Sequence, residues 1–510
     1  MDHPYTAKTS FDGGELDCGS GLLLLIRKHI DPLLPGELLE IRSREISVGE
    51  ELPAWCRMTG NQLVSHLRRG GEQSFLVSKG PFRETPATGS KAPAPRADER
   101  YTNIARQARA QDGALAQPAA VPPLPLLPVM GIGSWPRPRW LLHALHERLE
   151  NRLSEDEFKA TADDGVRLAV QAQLDAGVDV LSDGEQRRDN YASFVGGLLE
   201  GCQLIPITDL LPYVEDPEQF RQELQALDVP AERVRHPAVF GRIRRVRPLA
   251  VHELRFVQSL APGRAVKVAL PGPYLLTRTM WLECVSERAY ATREELANDV
   301  VLALRAEVAD LLAAGAAVVQ LDEPVLSEVV FGKPTAQRTF MCGALGERRS
   351  PDEELGLASE LISSVVSGFP PERLAMHVCR GNWSPDESVA LSGDYRPLLP
   401  LLSRAPVGTL FLELATPRAG ELEVLAKLPA DKRIGVGVVN QKMPRVESSE
   451  EVISRASKAV RLFGSDRVLL APDCGFATFA DNPIASAAIA AAKLKSIAQA
   501  AEILRQREIQ

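Results

Sequence analysis

From residue 128 onward, short apolar runs alternate with long amphipathic segments. The runs cover residues 128–133, 178–182, 266–270, 317–321, 374–379, 409–414, 434–439 and 468–471. Segments such as 155–176, 295–314, 448–463 and 482–505 have the helical period, and glycine follows several of their ends. Eight strands alternating with helices predict an α/β fold, a (β/α)8 TIM barrel over residues 128–510. The stretch from about 186 to 264 is too long for a simple connection and reads as a partly helical insertion or cap.

Residues 10–80 read as a separate small α/β unit of two layers. Its expected elements are an apolar helix over 21–30, a turn at Pro35-Gly36, a strand over 38–42, a helix near 52–67 and a closing strand over 74–77. Between the units, residues 81–127 turn to Ala, Pro, Arg and Gln and end in Val121-Pro-Pro-Leu-Pro-Leu-Leu-Pro128. That composition predicts a linker, flexible and then stiff, with the two units tethered and free to reorient.

Composition narrows the function classes. The 510 residues are 45% hydrophobic and 25% charged, as in globular proteins with more than one domain. A net charge of -8 argues against a protein built to neutralise nucleic-acid phosphates, and the basic run Arg242 to Arg247 reads as a solvated hairpin face. Seven scattered cysteines fit a reducing compartment, and the cytoplasm is expected. The apolar run 22–26 is far too short to span a bilayer, so no membrane association is expected.

The chemistry concentrates at Arg373-Leu-Ala-Met-His-Val-Cys379. On a strand, residues two apart share a face, so His377 and Cys379 project together. An imidazole beside a soft thiolate suits zinc, which takes four ligands. Cys474 in Ala471-Pro-Asp-Cys-Gly475 is the natural third, and Glu413, closing Thr409-Leu-Phe-Leu-Glu413, is the acidic candidate for the fourth. In a (β/α)8 barrel the working face lies at the carboxyl ends of the strands, where all four would meet. The same rim receives Ile132-Gly-Ser134, Glu185 and Asp322.

These motifs carry a resemblance. Gly131-Ile-Gly-Ser134, Asp183-Gly-Glu185, Leu321-Asp-Glu-Pro324, His377-x-Cys379, Glu413 and Pro472-Asp-Cys-Gly475, in this order, resemble the catalytic barrel of the cobalamin-independent methionine synthase family, especially its short single-barrel members. The resemblance implies Zn2+ held by His377, Cys379, Glu413 and Cys474. It also implies homocysteine bound by backbone around Ile132 and Ser134 and by Glu185 and Asp322. A zinc-bound thiol is deprotonated, whereas a free one near pKa 8.5 is mostly protonated at neutral pH. The implied activity is a zinc-dependent S-methyltransferase acting on homocysteine or a similar small thiol. The family's proton-handling histidine aligns with Lys442 in Gly437-Val-Val-Asn-Gln-Lys-Met-Pro444. A lysine there departs from the family pattern for a folate donor, and the donor is left open among a folate, a corrinoid protein and a simple methylated sulfur compound.

Phe11-Asp-Gly-Gly-Glu-Leu-Asp-Cys-Gly-Ser-Gly-Leu22 and Glu51-Leu-Pro-Ala-Trp-Cys-Arg-Met-Thr-Gly60 resemble the TusA-like (SirA-like) sulfur carriers. That resemblance implies a persulfide on Cys18, activated by a helix amino terminus, and sulfur-relay partners. The family's usual Cys-Pro-x-Pro reads Cys18-Gly-Ser-Gly21 here. Two other readings follow: an alkyl-thiol transferase using Cys18, and a zinc-binding scaffold without turnover.

Overall fold

The computed structural model describes residues 3–82, 117–213, 221, 233–282, 289–332, 350–382, 384, 386–479, 482–483 and 485–509. Most of the expected linker and part of the expected insertion lie outside these residues.

The amino-terminal unit is a four-stranded mixed sheet. Its strands are β1 (Thr9–Asp12), β2 (Leu38–Ser43), β3 (Gln62–Arg69) and β4 (Glu72–Ser78), in the order β1-β2-β4-β3. β1 and β2 are parallel, and β4 is antiparallel to both its neighbours. The helices Leu23–Ile30 and Val48–Met58 bury Ile26, Leu52 and Trp55 against Ile41 and Phe75.

The helix expected near 52–67 is overturned by the structure. It ends at Met58, the Thr59 hydroxyl donates to the Trp55 carbonyl, and Gly60 takes a φ of 71°. Glycine adopts that left-handed conformation without steric cost and stops the helix, freeing 62–69 to pair with β4. Leu63, His66 and Leu67 fit a helical stripe as well as a strand, so their spacing alone misleads.

The larger unit is built on β5 (Val180–Leu181), β8 (Ala265–Pro271), β9 (Val318–Asp322), β10 (Leu374–Val378), β11 (Thr409–Leu412), β12 (Arg433–Val439) and β13 (Val468–Pro472), the hairpin β6 (Leu199–Pro206) and β7 (Arg235–Arg245) standing apart. The seven form one parallel sheet in the order β13-β12-β11-β10-β9-β8-β5. Its two edges meet on the first apolar run, where Val129 bridges to Leu470 and Met130 to Val180. The Leu470 N–H donates to the Pro128 carbonyl at 3.0 Å and the Asp179 N–H to that of Val129 at 2.9 Å.

Helices pack outside the sheet and several begin at sequence-encoded caps. Ser154 with Glu157, Ser350 with Glu353 and Ser448 with Glu451 each form a reciprocal capping box. The last helix is Ala487–Ile509 and not 482–505, because Asn482 and Pro483 pair with Ala477 to Phe479. Alternate strand residues serve two layers. Leu374, Met376 and Val378 face the large outer core, while Ala375 joins Met130, Val318, Phe411 and Leu469 inside.

The insertion is the β6–β7 hairpin, with the 3-10 turn Ile207–Tyr213 and the helix Val251–Leu260 flanking it. Its basic run is neutralised locally, Arg244 by Glu200 at 2.5 Å and Arg245 by Glu307 at 2.7 Å. The expectation of a freely reorienting amino-terminal unit is also corrected, because that unit is seated on this insertion. Arg27 Nε donates to Asp209 at 2.8 Å, Lys28 Nζ to the Phe240 carbonyl at 2.8 Å, and Gln203 Nε2 to the Arg27 carbonyl at 3.1 Å. Leu24 and Leu25 share one continuous apolar core with Ile205, Ile207 and Leu210. Among the described residues no helix is long and apolar enough to cross a membrane.

This seating predicts that Leu24→Ala costs about 2–4 kcal/mol, the usual cost of a buried leucine truncation. Calorimetry of the intact chain should show unfolding of the amino-terminal unit moved to lower temperature. An unchanged profile would mean that the contact contributes nothing to stability.

Candidate metal centre

The inward parity of β10 carries His377 past Ala375, and Cys379 follows at the end of the strand. The β9–β10 register sets His377 opposite Asp322, and the imidazole Nδ1 lies 3.1 Å from Asp322 Oδ1. A carboxylate only accepts, so the ring donates from Nδ1 and keeps Nε2 free as a lone-pair donor. Nε2 is buried and has no partner among the described residues. Across the sheet, β13 ends at Pro472 and the turn Asp473-Cys474-Gly475 brings in the second thiol. That turn is tied to the end of β11 by Asp473 Oδ1, which accepts from the N–H groups of Leu414 and Ala415 at 2.8 and 2.9 Å.

The donor atoms of His377, Cys379 and Cys474 lie within 4.8 Å of one another, and all three residues are buried. Accepting the Cys474 S–H brings the Cys379 thiol down to about 7, while Cys474, as the donor, is pushed well up. Burial opposes charging His377, but the Asp322 hydrogen bond and the Cys379 charge outweigh it and raise its pKa. An orphaned imidazole nitrogen between two sulfurs, with a carboxylate behind the ring, fits a zinc ion.

Glu413 departs from the ligand set expected of it. It is buried at the end of β11, yet Oε2 accepts from the Arg380 N–H at 2.8 Å and Oε1 from Arg418 at 2.5 Å, so it lies outside the three-donor group. Asp322, expected at a substrate ammonium, spends Oδ1 on His377 and on Gln320 Nε2, the latter at 2.7 Å. Oδ2 has no donor among the described residues.

Glu185 is held in a left-handed conformation, φ 55°, by a turn in which its N–H donates to Asp183 Oδ1 at 2.9 Å. Its Oε2 is buried without a partner, and burial raises the carboxyl to about 7. Gly133 faces it, and any Cβ there would collide with the Glu185 carboxylate. The Ile132 carbonyl accepts from Gln320 at 3.1 Å, and Ser134 Oγ accepts from the Ala477 N–H at 3.3 Å. After β12, Lys442 is buried with Nζ unpartnered, its pKa lowered by burial against the pull of Glu413 and Glu387.

Cys18 does not have the activated thiol expected of a persulfide carrier. It opens a π-helical turn, Cys18–Leu22, but is buried and raised to about 12 by desolvation and then by Glu51. Cys56 packs in the core of that unit, as expected.

Sequence reasoning missed Lys267, Gln320, Arg380 and Arg418, all close to this centre. Gln320 shares the face of Asp322 by strand parity, and Lys267 is a lone charge in an apolar run; both signals were present.

Residues 127–350 and 388–502 match the family described as the catalytic domain of the cobalamin-independent synthases. β10, with His377 and Cys379, lies between the two matched segments, so the donor trio rests on its own geometry. A methionine synthase of Saccharolobus solfataricus is 27% identical over 384 residues, which span 75% of this chain and 96% of that protein. One from Sulfurisphaera tokodaii is 26% identical over 353 residues, 69% of this chain and 86% of that protein. The structure of a B12-independent methionine synthase from Shewanella sp. W3-18-1 in complex with selenomethionine superposes with a TM-score of 0.57 at 23% identity, covering 76% of this chain and 99% of that one. The amino-terminal unit lies outside the family match. With two-thirds of its length aligned to this catalytic domain, the chain belongs to the cobalamin-independent methionine synthase family of methyltransferases.

Proposed function

We propose that this chain is a zinc-dependent S-methyltransferase of methionine-synthase type built on a (β/α)8 barrel, with homocysteine or a similar small thiol as methyl acceptor. The observation that carries the reading is His377, its Nε2 without a partner among the described residues, grouped with Cys379 and Cys474, while Glu185, with Oε1 3.9 Å from Arg188 and Oε2 unpartnered among the described residues, stands on the same rim. Zinc, when bound, supplies the charge that keeps an acceptor thiol deprotonated at neutral pH.

The chain's own residues do the rest. Glu185 and Asp322 Oδ2 receive the acceptor's ammonium, and the backbone of Ile132 to Ser134 lines the amino-acid end. Glu413 would be the fourth, oxygen donor to the metal, and Arg418 and the Arg380 N–H hold its carboxylate in this structure. Lys442 Nζ, buried and unpartnered near Glu413 and Cys379, supplies positive charge or a proton to the leaving group of the donor. A folate and a corrinoid protein are the donor classes to assay. The persulfide role of Cys18 draws no support from its buried, raised thiol and is not part of this reading.

The purified chain should carry one zinc ion. Cys379→Ser or Cys474→Ser should lose it, and chelation should abolish thiol methylation until zinc is restored. X-ray absorption should show an added sulfur neighbour when homocysteine is supplied; unchanged coordination would leave a zinc-binding scaffold.

Lys442→Met should lower turnover about 10²-fold, the size of a general-acid contribution, with thiol affinity kept. Full turnover in this variant would remove the lysine from proton handling.

Glu185 gives a pH signature. Its carboxyl is raised to about 7 in the empty site, so the anion that pairs with an ammonium is present above that pH and lost below it. Methionine, the expected product, has no thiol proton to confuse the titration. Its affinity should fall about tenfold per pH unit below 7, and Glu185→Gln should bind it weakly with a flat profile. Calorimetric titration from pH 5.5 to 8.5 decides; a flat wild-type profile would take Glu185 out of the ammonium site.

A further inference from the structure

The inner face of the parallel strands carries two polar side chains that touch neither the metal donors nor solvent. Lys267 on β8 is 2% exposed and Gln320 on β9 is fully buried. Lys267 Nζ donates to the Gly131 carbonyl at 2.5 Å and to Gln320 Oε1 at 2.7 Å, and lies 4.5 Å from the centre of the Phe411 ring. Gln320 Nε2 donates to the Ile132 carbonyl at 3.1 Å and to Asp322 Oδ1 at 2.7 Å, and that same oxygen accepts from His377 Nδ1.

The direction of every bond in this chain is forced. The Ile132 carbonyl and the Asp322 carboxylate can only accept, so the Gln320 amide must turn its Nε2 toward them and its Oε1 toward the Lys267 amine. An apolar pair would fill this layer at lower cost, since burying an ammonium is expensive. What the polar pair adds is a rigid link. One end is the backbone of Gly131 and Ile132, beside which an amino-acid acceptor places its polar end; the other is the imidazole that grips the metal at the sulfur end.

Resting on the acceptor proposed above, we infer that Lys267 and Gln320 are positioning residues that fix the span between the Gly131–Ile132 backbone and His377, and so select a thiol amino acid with two methylenes before sulfur over one with a single methylene. A ligand held at both ends must match the gap between them. One methylene in a loose pocket is worth only about 10–200-fold in selectivity, and a yielding frame would forfeit it.

The test uses the cobalt-substituted holoprotein, whose visible spectrum reports sulfur arriving at the metal without a methyl donor. Homocysteine and cysteine are titrated separately into wild type and Gln320→Met, which keeps the side-chain length and removes all three hydrogen bonds. The thiol-free spectrum should be unchanged, because the His377–Asp322 bond remains. The half-saturating homocysteine concentration should rise about tenfold, and its advantage over cysteine should fall by about the same factor. A merely structural glutamine would lower the melting temperature and leave that advantage alone. If Gln320→Met fails to fold, Lys267→Met, which frees the Gly131 carbonyl, is read in the same way. Half-saturation values and a homocysteine-to-cysteine ratio within about twofold of wild type would overturn the positioning role. A wild-type spectrum that ignores homocysteine would instead overturn the acceptor assignment, and this inference with it.

Discussion

The chemistry at the mouth of this protein depends on one strand register. β9 and β10 run parallel with Asp322 opposite His377 and Gln320 opposite Ala375. In a parallel pair, residues in register project to the same side, so the carboxylate meets the imidazole without any help from a loop. A slip by one residue would turn His377 into the helix layer and bring Met376 or Val378 inside. What resists that slip is the difference between the layers. Leu374, Met376 and Val378 are buried in the outer core, and the inner face offers hydrogen-bonding partners that those side chains cannot use.

The same constraint explains why some buried polar groups have partners and others do not. Some buried carboxylates in this fold are fully matched. Glu253 pairs with Arg188, Glu354 with Arg293, and Glu307 accepts from Arg245 and from three N–H groups at the start of the helix Val251–Leu260. Burying such groups is tolerable because each is matched. Other buried polar atoms lack hydrogen-bond partners among the described residues, Asp189 Oδ1 and both His236 nitrogens among them; what sets His377 Nε2, Glu185 Oε2 and Lys442 Nζ apart is that they stand at the ends of strands of one sheet, on one rim. An unmatched buried donor or acceptor costs stability, and a cluster of them on one rim is where a ligand can supply the missing partners.

Much of this was legible in the chain. The eight apolar runs all became neighbours around one sheet because runs buried by layers on both sides need no tertiary information to be recognised. His377 and Cys379 were legible because strand parity is exact at two residues, and Cys474 because it follows a run directly. The partners of Glu413 were hidden: the Arg380 N–H comes from the loop after β10, and Arg418 reaches back five positions, a contact that depends on how the loop after β11 turns. Lys267 was passed over because one charge in an apolar run looks like a solvent-facing interruption, whereas here it points into the ring of strands. The 62–69 segment failed for the opposite reason, since its apolar spacing satisfied two periods and the decision lay in the conformation of Gly60.

The amino-terminal unit shows how a motif and its chemistry can separate. Cys18 keeps its place ahead of the first helix, but a helix terminus lowers a thiol pKa only if the thiolate can be solvated or paired with positive charge. Here the sulfur is buried, and the charged groups acting on it are acidic, Glu51 before Asp17. Burial and those carboxylates keep the thiol protonated at neutral pH. The helix dipole, worth about 1 kcal/mol at most in exposed settings, cannot reverse that. What the unit does supply is surface. Arg27, Lys28, Leu24 and Leu25 grip the β6–β7 insertion, and they lie on the first helix, immediately after the Cys18 turn. Cys18 itself packs into the unit's own core with Leu22, Ile26 and Trp55, while Leu24 and Leu25 belong to the core shared with the insertion.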